Sequence, residues 1–363
     1  MSKKALIAMS GGVDSSVAAA LMAEQGYTCV GVTMKLFDRA GLELDENNTC
    51  CSTSDIEDAR AVAERLNMPF EVVDFMDRFQ EVVMDNFVTC YENGITPNPC
   101  VVCNRYLKFD KLFQRGEELG CDYIVTGHYA QVVYNEATGR YNLLKGHDEN
   151  KDQSYVLYSL TQEQLSHIIL PLGGYSKPEV RALAEAHSFI NAEKSESQDI
   201  CFIPTGKYTD FIERYTGKHY PEGDFVDRNG KVLGTHKGII RYTIGQRKGL
   251  GLALPQPMYV CEVDVENNKV VLGYNADLFS TTLIAKGLNL ISCDHLEEPL
   301  RVTAKVRYKH KEAPATVYQL DADTIKVVFD EPQRAITKGQ AVVLYDGDEV
   351  VGGATITETN VEE

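Results

Sequence analysis

The sequence predicts an α/β protein: a doubly wound parallel sheet, then a small mostly-β central domain and a C-terminal β-barrel. Three observations carry this. Short apolar runs alternate with helical periods through the first third. Helical periodicity then fades after about residue 205. Beyond it glycine becomes frequent and short alternating strands take over. The expected divisions are 1–205, 206–276 and 277–363.

The elements follow in order. "KALIAM" is an apolar strand, and "DSSVAAALMAEQG" is an alanine-rich helix that Gly26 can end. "TCVGVTMKLF" is the next strand. "SDIEDARAVAERLNMP" reads as a helix with Ser54 as N-cap, Glu57 at the capping-box position and Pro69 as a stop. "FEVVDF" is a strand, 105–119 an amphipathic helix, and "DYIVTGHY" a strand running into a Gly-His turn. The later strands are "MYVCEVDV", "KVVLGY", "RVTAKVRY", "TIKVVFD" and "AVVLYDG".

Composition bounds the function. The 363 residues hold no apolar run near membrane-span length, and "MSKKALIAMSGG" is too short in apolar residues for a secretory signal. A cytoplasmic protein without membrane contact is expected. Ten cysteines are too dilute for a disulfide scaffold, so buried, metal-bound or catalytic thiols are expected. A net charge of -17 opposes nonspecific affinity for polyanions. Two local basic stretches run against that balance. Residues 236–251 carry Lys237, Arg241, Arg247 and Lys248, and 301–311 carry Arg301, Lys305, Arg307, Lys309 and Lys311. Neither includes an acid. Each alone reads as a solvated strand face; two in an acidic chain weaken that reading and leave a nucleic-acid partner open.

"AMSGGVDSS" lies between the first strand and the first helix. Gly11 and Gly12 permit close backbone approach and positive φ, and the helix N-terminus aims N–H groups outward. With the hydroxyls of Ser10, Ser15 and Ser16, such a loop would hold a phosphate. No lysine follows the glycines, so the Walker loop is absent, and the glycine spacing is not the G-x-G-x-x-G of a dinucleotide loop.

In this strand-to-helix context "SGGVDSS" resembles the PP-loop of the ATP pyrophosphatases, adenine-nucleotide α-hydrolase-like enzymes that split ATP into AMP and pyrophosphate. The resemblance implies ATP and Mg²⁺. Ala8, Met9, Ser10, Gly11, Gly12, Val13, Asp14 and Ser15 would form the nucleotide site, Asp14 acting through the metal. Met34 and Gly127 match further nucleotide-contacting positions.

Further segments, in order along nearly the whole chain, resemble the bacterial tRNA-specific 2-thiouridylases. They are "TPNPCVVCN", "TGHYA", "KDQSY", "SQDICFI", "YTIGQRKGLG" and "KVRYKH". That family adenylates C2–O of the wobble uridine in the tRNA anticodon stem-loop and replaces the oxygen with sulfur from a cysteine persulfide. A urea-like oxygen is a poor leaving group until adenylated, and a thiolate or persulfide is the nucleophile available at neutral pH. Cys201 resembles the persulfide carrier. Cys103 resembles the second cysteine, which attacks or resolves the persulfide and leaves a Cys103–Cys201 disulfide. The resemblance further implies tRNA contacts at Asn98, Pro99, Cys100, His128, Lys151, Asp152, Gln153, Arg307, Tyr308 and Gln340. It also implies a persulfide donor as partner, such as a cysteine desulfurase or sulfur-relay protein.

Cys100 departs from the better-known family pattern, which has Asp there. The alternative that follows is an iron–sulfur cluster on Cys100, Cys103 and Cys201. Asp199 is a candidate for acid–base work beside Cys201, with a solvated carboxylate as the plainer reading. Cys29, Cys90, Cys121, Cys261 and Cys293 read as core, and Cys50 and Cys51 are unassigned. Two other classes compete. An ATP-dependent amide ligase would need an ammonia source, and no glutaminase-like signature is present. A non-enzymatic RNA-binding protein would have no use for "SGGVDSS" and both cysteines.

Overall fold

The structure, a computed structural model, describes residues 3–37, 53–195, 200–203 and 207–359. Cys50, Cys51 and Asp199 lie outside them. The chain divides into two compact units: residues 1–84, 99–205 and 347–351 form one, and 85–98, 206–346 and 352–363 the other.

The first unit holds an all-parallel sheet of β1 (Lys4–Ala8), β2 (Thr28–Lys35), β3 (Phe70–Asp74), β4 (Tyr123–Val125) and the two-residue β7 (Ile168–Ile169). Their order is β3-β2-β1-β4-β7. Alternation along β1 sends Ala5 and Ile7 to one face and Leu6 to the other. The first face is covered by the helices Val13–Glu24, Thr53–Arg65 and Lys177–Ala186, through Val17, Val62 and Val180. On the opposite face Leu6, Val32 and Ile124 pack against Leu112 of the helix Leu112–Glu118. The doubly wound expectation holds. The antiparallel hairpin β5 (Ala130–Asn135) and β6 (Arg140–Lys145) interrupts the alternation and was not anticipated.

Two helix starts differ from expectation. The helix at 53–65 already includes Ser54, which sits in its first turn rather than capping it. The helix expected over 105–119 begins earlier, at Pro99. Proline suits a first helical turn because its missing N–H has no intrahelical partner there. The weak helix formers Val101 and Val102 hide this from a propensity reading.

In the second unit β8 (Gly223–Asp227), β9 (Val232–His236), β10 (Tyr259–Asp264) and β11 (Lys269–Gly273) form a four-stranded sheet around Phe225, Val260, Val270 and Leu272. The six strands β12 (Phe279–Leu290), β13 (Leu300–Lys305), β14 (Ala313–Gln319), β15 (Thr324–Arg334), β16 (Ala341–Asp346) and β17 (Glu349–Thr359) follow. Their order is β12-β15-β14-β13-β16-β17, and β12 pairs with β17 to close a barrel. Closure removes the sheet edges. Among the described residues no helix is long and apolar enough to cross a membrane.

Candidate nucleotide and thiol site

The strand order reverses at β1, whose neighbours are β2 on one side and β4 on the other. In an open parallel sheet the crevice at such a switch point, beyond the carboxyl ends of the strands, is where ligands bind. The loop 9–12 leaves β1 there, and the turn 126–129 leaves β4. Gly127 is required at this approach, because a Cβ would lie 2.9 Å from both Asp14 C and Ser15 N. Of the two loop glycines only Gly11 uses positive φ, at +73°; Gly12 is extended at -90°. Ser10 N–H donates to Ser15 Oγ at 3.2 Å, and the Ser15 and Ser16 hydroxyls donate to the Gly12 carbonyl at 3.1 and 3.0 Å. Met9 and Val13 are buried beneath the loop, and Met9 N–H reaches Val32 O at 2.8 Å. Ala8 ends β1, and Met34 lies on β2 against the Leu6–Val32 cluster.

Asp14 opens the helix, a favourable place for a carboxylate. Two groups meet its Oδ1: Lys177 Nζ at 2.6 Å and the Tyr129 hydroxyl at 2.8 Å. Both partners are buried, and sequence reading missed both. One signal was available for the lysine. "SKPEV" starts a helix with Ser176 N–H donating to Glu179 Oε2 at 2.7 Å. A lysine in a first turn opposes the helix dipole and calls for a local counter-charge. Asp14 with the loop hydroxyls supplies hard oxygen donors of the sort Mg²⁺ takes together with phosphate oxygens.

The cysteines lie on one helical run. The turn Pro99–Cys103 continues into a wider segment, Asn104–Lys111, from which Leu112 N–H reaches back five residues to Leu107 O. Such wide turns concentrate at functional sites. Cys100 is exposed and Cys103 buried. Burial pushes the Cys103 thiol up to about 11, with Lys108 pulling the other way. Next to it, buried Asn104 donates to Val156 O at 3.1 Å. His128 is buried; its Nδ1 is 2.7 Å from Thr126 Oγ1 and its Nε2 3.5 Å from Lys108 Nζ. Burial, then Lys108, holds it well below the usual histidine range, so the ring is neutral. Cys201 is half-buried on a turn closed by Ile203 N–H to Ile200 O at 2.8 Å. Its neighbour Phe202 is buried edge-on against Phe79, ring centroids 5.7 Å apart. Cys103 and Cys201 carry thiols rather than a disulfide.

Among the described residues no group of three or more His, Cys, Asp or Glu is placed to hold a metal ion. Cys100, Cys103 and Cys201 as placed do not fit a three-thiolate cluster site. Of the cysteines expected in the core, Cys29 is buried, whereas Cys90, Cys121, Cys261 and Cys293 are half-buried.

Several expected tRNA contacts are tied into the protein itself. Asp152 accepts from Gly146 N–H, Ser154 N–H and the Ser154 hydroxyl. Gln153 Oε1 accepts from Tyr129 N–H at 3.0 Å. Gln340 donates to the carbonyls of Thr96 and Pro97, both at 3.0 Å. Asn98 closes that segment, and Pro99 opens the cysteine helix. Lys151 follows the turn at Asp148, whose carbonyl its N–H meets at 2.9 Å. Arg307 and Tyr308 follow β13, where Arg307 O accepts from His310 N–H at 3.0 Å.

A family model described as the tRNA methyl transferase HUP domain matches residues 3–205. The tRNA methyl transferase PRC-barrel domain matches 209–274, and the aminomethyltransferase β-barrel domain 280–356. The tRNA-specific 2-thiouridylase MnmA of Clostridioides difficile (strain 630) is 52% identical, with 99% of each chain aligned. That of Carboxydothermus hydrogenoformans is 51% identical over 98% of this chain and 97% of its own. Among solved structures, the U34-tRNA thiolase NcsA from Methanococcus maripaludis with its [4Fe-4S] cluster aligns over 59% of this chain and 65% of that one. Its identity is 19% and its TM-score 0.35, too distant to bear on chemistry here. The family descriptions speak of methyl transfer, but the full-length relatives, half identical from end to end, are thiolases. On that identity the chain belongs to the tRNA-specific 2-thiouridylase family.

Proposed function

We propose that the chain catalyses ATP-dependent 2-thiolation of the tRNA wobble uridine, as a sulfurtransferase. The observation that carries this reading is the loop at the β1–β4 switch point, where Asp14 is held by buried Lys177. Uridine O2 attacks the α-phosphorus of ATP, pyrophosphate leaves, and the oxygen becomes part of an AMP leaving group. Asp14 is the carboxylate that would hold Mg²⁺, which when bound neutralises phosphate charge. Lys177, whose Nζ lies 2.6 Å from that carboxylate, would supply a positive charge to the departing pyrophosphate. Nucleotide contacts come from residues 8–15 with Met34 and Gly127.

Sulfur then passes through two thiols. The terminal sulfur of a Cys201 persulfide attacks C2 and AMP leaves. The Cys103 thiolate attacks Cys201 Sγ, the S–S bond breaks, and the product keeps C2=S while a Cys103–Cys201 disulfide forms. A cellular thiol reductant resets that disulfide, and a persulfide-bearing donor protein reloads Cys201. No step is routed through a cluster. Buried Cys103, held protonated as the protein stands, needs a changed environment before it can attack. The anticodon stem-loop would meet Asn98, Pro99, Cys100, His128 and 151–153. Arg307, Tyr308 and Gln340 would contact it from the β-rich part, with 1–205 as the catalytic domain and 206–276 and 277–363 as tRNA-binding domains.

The test is pyrophosphate release that depends on tRNA. Asp14→Asn should lower it by roughly a hundredfold or more, the scale of losing a charge-stabilising group in an active site, while tRNA binding persists. Cys201→Ser should still release pyrophosphate and form adenylated tRNA but transfer no sulfur. Pyrophosphate release that needs no tRNA but requires a carboxylate substrate and ammonia would instead establish an amide ligase.

A further inference from the structure

The loop's two glycines raise the question of what keeps it in shape. A peptide flanked by glycines can flip at little cost, because glycine populates both signs of φ. The Gly11–Gly12 peptide is such a unit, yet it is gripped from outside. A Cβ at Gly11 would lie 2.2 Å from Asp55 O, so the glycine is wedged against the helix Thr53–Arg65. The Gly11 carbonyl accepts from Asn191 Nδ2 at 3.0 Å and from Lys194 Nζ at 3.2 Å. Asn191, which is 3% exposed, also donates to Ser16 Oγ at 2.9 Å. Lys194 also reaches Asp55 Oδ1 and Asp58 Oδ2, both at 2.6 Å. Arg181 steadies the turn in its place by donating to the Ala192 carbonyl at 3.2 Å.

A trans peptide is planar, so the Gly11 C=O and Gly12 N–H point in opposite directions. Holding the carbonyl toward residues 191–194 therefore turns the Gly12 N–H away from them. We propose that Asn191 and Lys194 are positioning residues of the nucleotide loop, pinning the Gly11 carbonyl so that the Gly12 N–H stays aimed as a donor to the ATP phosphates. Both would act through the Gly11 carbonyl rather than on the nucleotide itself. The inference rests on the ATP reading of the loop given above.

Calorimetric titration of a non-hydrolysable ATP analogue with Mg²⁺ tests it, comparing the unaltered protein with Asn191→Leu, Lys194→Met and Lys194→Arg. Each of the first two should weaken binding about tenfold, the effect of one hydrogen bond to a buried group. KM for ATP should rise in step and tRNA affinity should stay unchanged. Lys194→Arg keeps the charge and donors and should recover most of the loss. Folded variants that melt earlier yet bind the analogue as tightly as the unaltered protein would overturn the proposal and leave these residues a structural role. An unaltered protein that fails to bind the analogue would overturn the ATP reading as well. Should Asn191→Leu not fold, the Lys194→Met and Lys194→Arg pair decides.

Discussion

Cys100 and Cys103 sit one helical turn apart and differ in surroundings, the first exposed and the second buried. Spacing in "NPCVVCN" cannot show this, because the helix face that turns inward depends on what packs over it. Burial raises the Cys103 thiol to about 11, whereas an unperturbed cysteine titrates near ~8.5. At neutral pH its thiolate fraction is then smaller by roughly two orders of magnitude. Iodoacetamide at pH 8 should therefore modify Cys100 well ahead of Cys103, read by mass spectrometry of the two sites after brief exposure. The rate at Cys103 should still be climbing above pH 9, because ionisation of a raised thiol lies on the alkaline side. Faster modification of Cys103 would show a thiolate already present. The role of Cys103 came from family resemblance, and its burial shows only in the folded chain.

At the scale of elements, the strand–loop–helix unit of β1 and Val13–Glu24 was legible because all its signals are local: an apolar run, two glycines, a carboxylate in the first turn. The sheet was legible for a similar reason, since its strands alternate with helices. The hairpin β5–β6 was not, because an antiparallel excursion breaks the alternation on which the reading relied. The meeting of the β1 and β4 loops depends on strand order, which no local pattern encodes. Gly127 records that meeting. Gly127→Ala would put a methyl group 2.9 Å from Asp14 C and Ser15 N, closer than van der Waals contact. The nucleotide loop must shift to accept it, so ATP-analogue affinity should fall about tenfold, a displacement cost on the order of 1–2 kcal/mol. The melting temperature should drop only slightly. Unchanged affinity would show that the loop yields without consequence and that Gly127 is a turn residue only.

At the scale of the molecule, the charge of -17 is an average that hides local pairing. Both basic stretches looked unopposed in sequence, but Arg301 forms a two-point ion pair with Asp330 at 2.7 Å. Arg241 meets Glu213 at 2.6 Å. These pairs remove two cations from the count available to phosphate. Arg307 is the arginine of the second stretch proposed for RNA. Arg307→Ala should weaken tRNA binding and reduce the slope of log affinity against log salt by roughly one, the release of about one condensed counterion. Filter binding across a salt series reads it, and an unchanged slope would return this stretch to a solvated strand face.

Sequence by itself determined the fold class, the nucleotide loop and the family, since strand periodicity, glycine turns and short motifs are written in neighbouring residues. Tertiary structure decided what surrounds the loop. Lys177 lies 163 positions from Asp14, and Asn191 lies 180 from Gly11. Neither carries a local pattern of its own beyond the misplaced charge at a helix start. They reach the loop because the sheet order brings the helix Lys177–Ala186 against the helix Val13–Glu24. Such contacts arise from packing of distant apolar faces, and the polar groups that ride on those faces become partners only once the chain has closed.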